Sequence, residues 1–84
     1  MTADIERKIR EHILANYLFT TDQNALRNDE SLMQRGIIDS TGVLEVIHFL
    51  DEAFGIKVAD VEMVPENLDS VANLVAYVER KRAG

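Results

Sequence analysis

The sequence predicts an all-α helical bundle of three main helices plus one short helix, with a long loop between helices one and two. Three observations lead there. Apolar residues recur at three- and four-residue spacing in three separate stretches, the period of a helix that turns one face to a core. Residues that cap or terminate helices flank those stretches. The 84 residues are 46% hydrophobic with a single proline and four glycines, enough apolar material to fold and too little compositional bias to stay disordered.

The first stripe is Ile5, Ile9, Ile13, Leu14, Tyr17 and Leu18, with Thr2 or Asp4 as its cap, so helix one runs to about Phe19 and ends at Thr20, Thr21 and Asp22. Residues 20–38 mix turn formers such as Asp22, Asn24, Asp29 and Gly36 with spaced apolar residues: Leu26, Leu32, Met33, Ile37 and Ile38. That mixture predicts a long loop pinned to the core, and loops of that length usually serve a function. Helix two opens at Asp39 or Ser40, carries Val43, Leu44, Val46, Ile47, Phe49, Leu50, Ala53 and Phe54, and stops at Gly55. After an extended Ile56–Val58, one helical turn is expected over Asp60–Val64, ahead of Pro65. Asp69 is expected to cap the last helix, whose stripe is Val71, Leu74, Val75 and Val78. Its terminal Arg80, Lys81 and Arg82 suit the negative end of the helix dipole.

Size and charge narrow the function. A domain this small buries only about 60% of its unfolded surface, which leaves little room for an enclosed catalytic pocket and favours an interaction module over an enzyme. The net charge of −6 repels nucleic acid and anionic membrane surfaces and points to cationic protein partners. Residues 39–69 hold eight acids against Lys57 alone, so the middle of the chain is the acidic face. No apolar run approaches the ~20 residues of a membrane span, and residues 1–8 lack a signal peptide's apolar stretch; a cytoplasmic protein is expected. Without cysteine there is no disulfide, thiolate metal site or cysteine nucleophile.

Residues 36–55 read Gly-Ile-Ile-Asp-Ser-Thr-Gly-Val-Leu-Glu-Val-Ile-His-Phe-Leu-Asp-Glu-Ala-Phe-Gly. This stretch resembles the phosphopantetheine attachment region of acyl carrier proteins, where an Asp-Ser-Leu motif opens helix two. The resemblance covers nearly the whole chain, including Asp29-Glu-Ser-Leu32 ahead of Gly36-Ile-Ile38, and implies one carrier domain over residues 1–84 with an acyl-carrier-like bundle. It implies that Ser40 carries a covalent 4'-phosphopantetheine arm and that the arm holds an acyl or aminoacyl group as a thioester. Asp39, Thr41, Leu44, Glu45, Asp51 and Glu52 are the implied partner-binding residues. The implied partners are a phosphopantetheinyl transferase, an acyl or aminoacyl ligase, and a downstream acyltransferase or synthase with a basic docking patch; a monomer is expected. The placement has a physical reason, because a phosphodiester at a helix start lies beside unpaired amides and the positive end of the dipole.

The sequence departs from the family pattern at Thr41, where leucine is usual, and Gly42 weakens the helix by about 1 kcal/mol relative to alanine. Pro65-Glu-Asn-Leu-Asp-Ser-Val71 is more like specialised bacterial carriers, aminoacyl ones among them. Ser70 also follows an aspartate at a helix start, but its helix lacks the acidic face, so it reads as structural. Asp22-Gln-Asn24 begins like a calcium loop and then lacks its third ligand and turn glycine, so no metal site is expected. His12 and His48 have no nucleophile nearby in the pattern and read as surface or packing residues. The alternative reading is an acidic helical adaptor without a prosthetic group.

Overall fold

The computed structural model describes residues 2–83. Helix α1 spans Thr2–Ile13 and runs on into a π turn over Leu14–Leu18. The side chain of Thr2, one of the two expected caps, lies outside the described residues; Asp4 stands in the first turn, 3.7 Å from Arg7. A π turn takes in one extra residue and so rotates the end of the helix around its axis. Leu14 stays in the core while Tyr17 reaches across the bundle, and Phe19 ends the helix in the left-handed region at φ 54°.

The long loop contains one short 3-10 turn, Gln23–Ala25, and is otherwise irregular. Three apolar pegs hold it: Leu26, Leu32 and Ile38 are all buried, Leu32 completely. Met33, expected among the pegs, is 44% exposed instead. Its backbone explains this, because the Met33 amide is drawn to the Asp69 carboxylate at 2.9 Å and the adjacent Leu32 already fills the core. Arg10 ties the loop's near end to α1, donating to the Asn28 side chain at 2.6 Å and to the Gln23 carbonyl at 2.7 Å.

Helix α2 spans Ser40–Phe54. The Asp39 carboxylate accepts the Gly42 amide at 2.7 Å, and Gly55 at φ 69° closes the helix with its amide on the Asp51 carbonyl. Gly42 has a positive reason to be there. A Cβ at that position would stand 3.2 Å from the Ile38 Cβ and 3.4 Å from the Asp39 carboxylate, so glycine lets the buried Ile38 and the cap close onto the first turn.

The turn expected over Asp60–Val64 covers only Asp60–Glu62, and the short helix α3 begins at Pro65, the residue expected to block it, and runs to Leu68. Proline is well suited to the first helical position because that amide has no intrahelical partner anyway, while Val64 before it is extended at ψ 153°. Helix α4 spans Val71–Ala83 and buries the expected stripe together with Tyr77, which the stripe omitted. Its cap is Ser70, whose Oγ accepts the Asn73 amide at 3.0 Å. Asp69, expected in that role, instead accepts from the Ser31 hydroxyl and the Met33 amide. Among the described residues there is no strand, and the extended Ile56–Val58 joins no sheet.

The most extensive packing between main helices is α1 on α4. One apolar cluster joins Ile5, Ile9 and Ile13 of α1, Val46 and Leu50 of α2 and the α4 stripe, with the loop pegs closing its end. If Leu32 is a core residue despite its place in a loop, Leu32→Ala should lower stability by about 2–5 kcal/mol, whereas Met33→Ala should cost less than about 1 kcal/mol. Urea midpoints of the two variants measure this.

Candidate functional site

Ser40 is the first residue of α2 and is exposed. Capping belongs to Asp39, so the Ser40 hydroxyl is released from the duty a serine usually performs at a helix start. Among the described residues no group hydrogen-bonds to its Oγ. Ser70 shows the opposite arrangement, since it is buried and its Oγ is committed to the Asn73 amide. The amides of Ser40 and Thr41 precede the first intrahelical bond, which runs from Val43 to the Asp39 carbonyl, so they leave partial positive charge at the serine.

A cavity of about 340 Å³ opens beside Ser40. Val43 and Leu44 form its α2 wall, Met33 its loop wall, and Met63, Val64 and Leu68 the wall opposite; Asp69 is its one ionisable lining residue. Two methionines at the rim give it deformable walls, because unbranched thioether side chains repack at little cost. Neither methionine is legible in the sequence as a site residue, since Met33 and Met63 belong to no periodic stripe.

The expected partner-binding residues divide among neighbouring surfaces. Leu44 is 59% exposed and stands on the ridge between the cavity and a groove of about 590 Å³ on the α1 side of α2. Thr41, Glu45 and Glu52 line that groove with His12, Asn16 and His48, and it does not reach Ser40. Asp51 faces a separate hollow with Lys57, and Asp39 is engaged in the cap. All three expected docking acids have internal partners. Glu45 accepts from Tyr17 at 3.1 Å, Asp51 pairs with Lys57 at 2.9 Å, and Glu52 lies 2.8 Å from the His48 ring. The pairs at Asp51 and Glu52 are solvent-facing, and such pairs contribute only about 0–1 kcal/mol, so a partner's cation can replace the internal partner at small cost.

Glu45 differs, because burial together with the Glu45 hydrogen bond pushes the Tyr17 hydroxyl up to about 12. The same hydroxyl lies 3.4 Å from the Gly42 carbonyl, which ties the π turn to the first turn of α2. Beside it, His12 stacks on Phe49 with ring centres 4.0 Å apart and planes 14° from parallel. His12 Nδ1 lies 3.2 Å from the Asn16 amide nitrogen, and its buried Nε2 has no partner among the described residues. The packing role expected of His12 is what the structure shows; His48 sits on the surface beside Glu52.

No family model matches the chain. It is 27% identical over 79 residues to the probable acyl carrier protein PigG of a Serratia species, covering 94% of this chain and 90% of that one. It is 33% identical over 55 residues to the D-alanyl carrier protein of Abiotrophia defectiva, covering 66% of this chain and 70% of that protein. The chain belongs to the acyl carrier protein family. A solved chain in the crystal structure of an FAD-dependent dehydrogenase has the same fold, with a TM-score of 0.67 and 28% identity over 82% of this carrier and 97% of that chain. These relatives include carriers of specialised type, as the stretch around Pro65 suggested. Among the described residues, no helix of the carrier is long and apolar enough to cross a membrane, and no group of three or more His, Cys, Asp or Glu side chains is placed to hold a metal.

Burial lowers the pKa of His12 below its ordinary 6.5, with Glu45 opposing more weakly. The unfolded chain therefore takes up this proton first as the pH falls, so the carrier's stability should decline on acidification below about pH 6.5. The carboxyls of Glu30 and Glu62 are held low, by Arg35 and Lys81 respectively, so their contributions are lost only below about pH 4.5. His12→Phe should keep the stack on Phe49 and flatten the upper of these two windows. Denaturant midpoints across pH 4–8 check this.

Proposed function

We propose that this carrier holds an acyl or aminoacyl group as a thioester on a 4'-phosphopantetheine arm attached to Ser40 and presents it to successive enzymes. The observation that carries the proposal is the division of labour at the α2 start: Asp39 takes the cap, and Ser40 is left exposed with an uncommitted hydroxyl beside an apolar cavity. The site fits such an arm, since the Ser40 and Thr41 amides suit a phosphodiester and the Met-rimmed cavity suits the less polar part of the arm. When bound, the arm supplies a thiol, which a chain without cysteine lacks.

The carrier's own residues bind and orient. Asp39 fixes the first turn, and Tyr17 through Glu45 and Gly42 fixes that turn against α1. The cavity walls exclude water from whatever folds into them. On this reading the chemistry of loading and transfer belongs to the partner enzymes, and the carrier's residues serve to hold and present the group. The D-alanyl carrier among its relatives favours a small aminoacyl cargo as one candidate class.

Incubation with coenzyme A and broad-specificity phosphopantetheinyl transferases, followed by intact mass, tests the site. Wild type and Ser70→Ala should each gain one arm and Ser40→Ala none. An arm retained by Ser40→Ala would overturn the assignment, and no gain in wild type would favour the unmodified adaptor.

The acidic face is proposed to steer basic partners, an effect screened over about 8 Å at physiological salt. Replacing Glu45 and Glu52 with Gln and Asp51 with Asn together should slow modification and loading and weaken their salt dependence. Unchanged rates in the triple variant would remove the acids from docking.

A further inference from the structure

The cavity beside Ser40 has one fixed wall and two that could move. The fixed wall is α2. A carboxylate holds the irregular part of each of the others: Asp69 the loop carrying Met33, and Glu62 the turn ahead of Met63, while Val64 is also held by α3, its carbonyl accepting the Asn67 and Leu68 amides at 3.0 and 3.2 Å. On the loop side, Asp69 holds the Ser31 hydroxyl and the Met33 amide, with its carbonyl taking the Leu32 amide at 2.8 Å. On the other side, Met63 and Val64 come directly after the Asp60–Glu62 turn, whose backbone bonds are all local: Glu62 to Ala59, Met63 to Asp60 and Val64 to Glu62.

The Glu62 side chain ties that turn to the bundle. Its Oε1 accepts from the Tyr77 hydroxyl at 3.0 Å, from the Lys81 ammonium at 2.9 Å and from the Ala59 amide at 3.1 Å. The Glu62 carbonyl adds the Asn67 side chain at 2.9 Å. Tyr77 is buried, so its hydroxyl would be left without this acceptor if Glu62 let go. Lys81 and Glu62 are each about 30% exposed, partly withdrawn from the water that weakens surface pairs. The apolar side chains of the turn add little, since Val61 is almost fully exposed and Met63 is exposed at the rim.

We propose that Glu62 is a positioning residue for the arm: clipped to Tyr77 and Lys81 of α4, it sets how far Met63 and Val64 stand from Ser40 and so how closely the cavity closes on the group that Ser40 carries. This rests on the reading of Ser40 as the attachment site. Glu62 lies outside the acidic face of α2 and touches neither Ser40 nor the cavity; it acts through Met63 and Val64, its two C-terminal neighbours. Loosening the clip therefore exposes the arm without altering the serine or its helix start.

The test uses the full-length holo-protein with its arm attached enzymatically and checked by intact mass. The readout is the rate at which the arm thiol reacts with a small aromatic disulfide, relative to free pantetheine under the same conditions. Wild type should react several-fold more slowly than free pantetheine. Glu62→Gln should move the rate most of the way to the free value and Lys81→Met, which leaves the Tyr77 and Ala59 bonds in place, part of the way, while Arg7→Gln, which breaks the Asp4 pair on α1, should leave it unchanged. Circular dichroism at the assay temperature confirms that each variant is folded, and Lys81→Met, which keeps the other bonds of Glu62, serves if Glu62→Gln is not. A wild-type thiol as reactive as free pantetheine, or clip variants that match wild type, would overturn the positioning role and leave the carrier reading standing. Failure of wild type to gain an arm at Ser40 would overturn both.

Discussion

The segment between α1 and α2 makes few backbone hydrogen bonds of its own, and a chain that passes over a core cannot leave its buried amides unpaired. Asp69 resolves this. Its carboxylate and carbonyl together take two successive amides and one hydroxyl from Ser31–Met33, and that grip sets Leu32 into the core and Met33 at the cavity rim. Ile37 and Ile38 then turn back on the Leu32 carbonyl, which delivers the chain to Asp39 and the start of α2. The position of Ser40 is thus inherited from a contact between the loop and the distant junction of α3 and α4.

That contact is also where the sequence is least legible. Asp69 and Ser70 are both good helix caps, and local preference cannot choose between them. Tertiary demand does: the loop needs a charged acceptor with two oxygens, so Asp69 goes to the loop and the smaller Ser70 caps α4. Elsewhere local signals suffice. The apolar stripes mark α1, α2 and α4, Gly55 marks the end of α2, and the Asp39-Ser40 pair places the candidate serine at a helix start. The short helix falls later than its expected position because Pro65, which can stop a helix, serves equally as a first residue. Tyr77 is legible in principle, since it lies between Leu74 and Val78 on the same face, but nothing in the sequence joins it to Glu62.

The acids of this chain do two kinds of work. Asp39, Glu62 and Asp69 serve the fold, each accepting backbone or buried donors that would otherwise lack a partner. Among the described residues Asp51 and Glu52 are paired with the exposed Lys57 and His48, an arrangement that exchange with a partner's basic residues disturbs little. Glu45 belongs to both groups, facing the groove while holding Tyr17. An acidic composition alone suggests a uniform docking surface; the hydrogen bonds divide it into scaffold and face.

The hydroxyl at the first position of α2 is proposed to bear the arm. Tryptic cleavage after Arg35 and Lys57 isolates residues 36–57, in which Ser40 and Thr41 are the only hydroxyl side chains. Fragmentation of that peptide after treatment with coenzyme A and a transferase locates the added group to the residue. The whole of the added mass is expected on Ser40; its appearance on Thr41, or on any peptide other than this one, would rule Ser40 out as the attachment site.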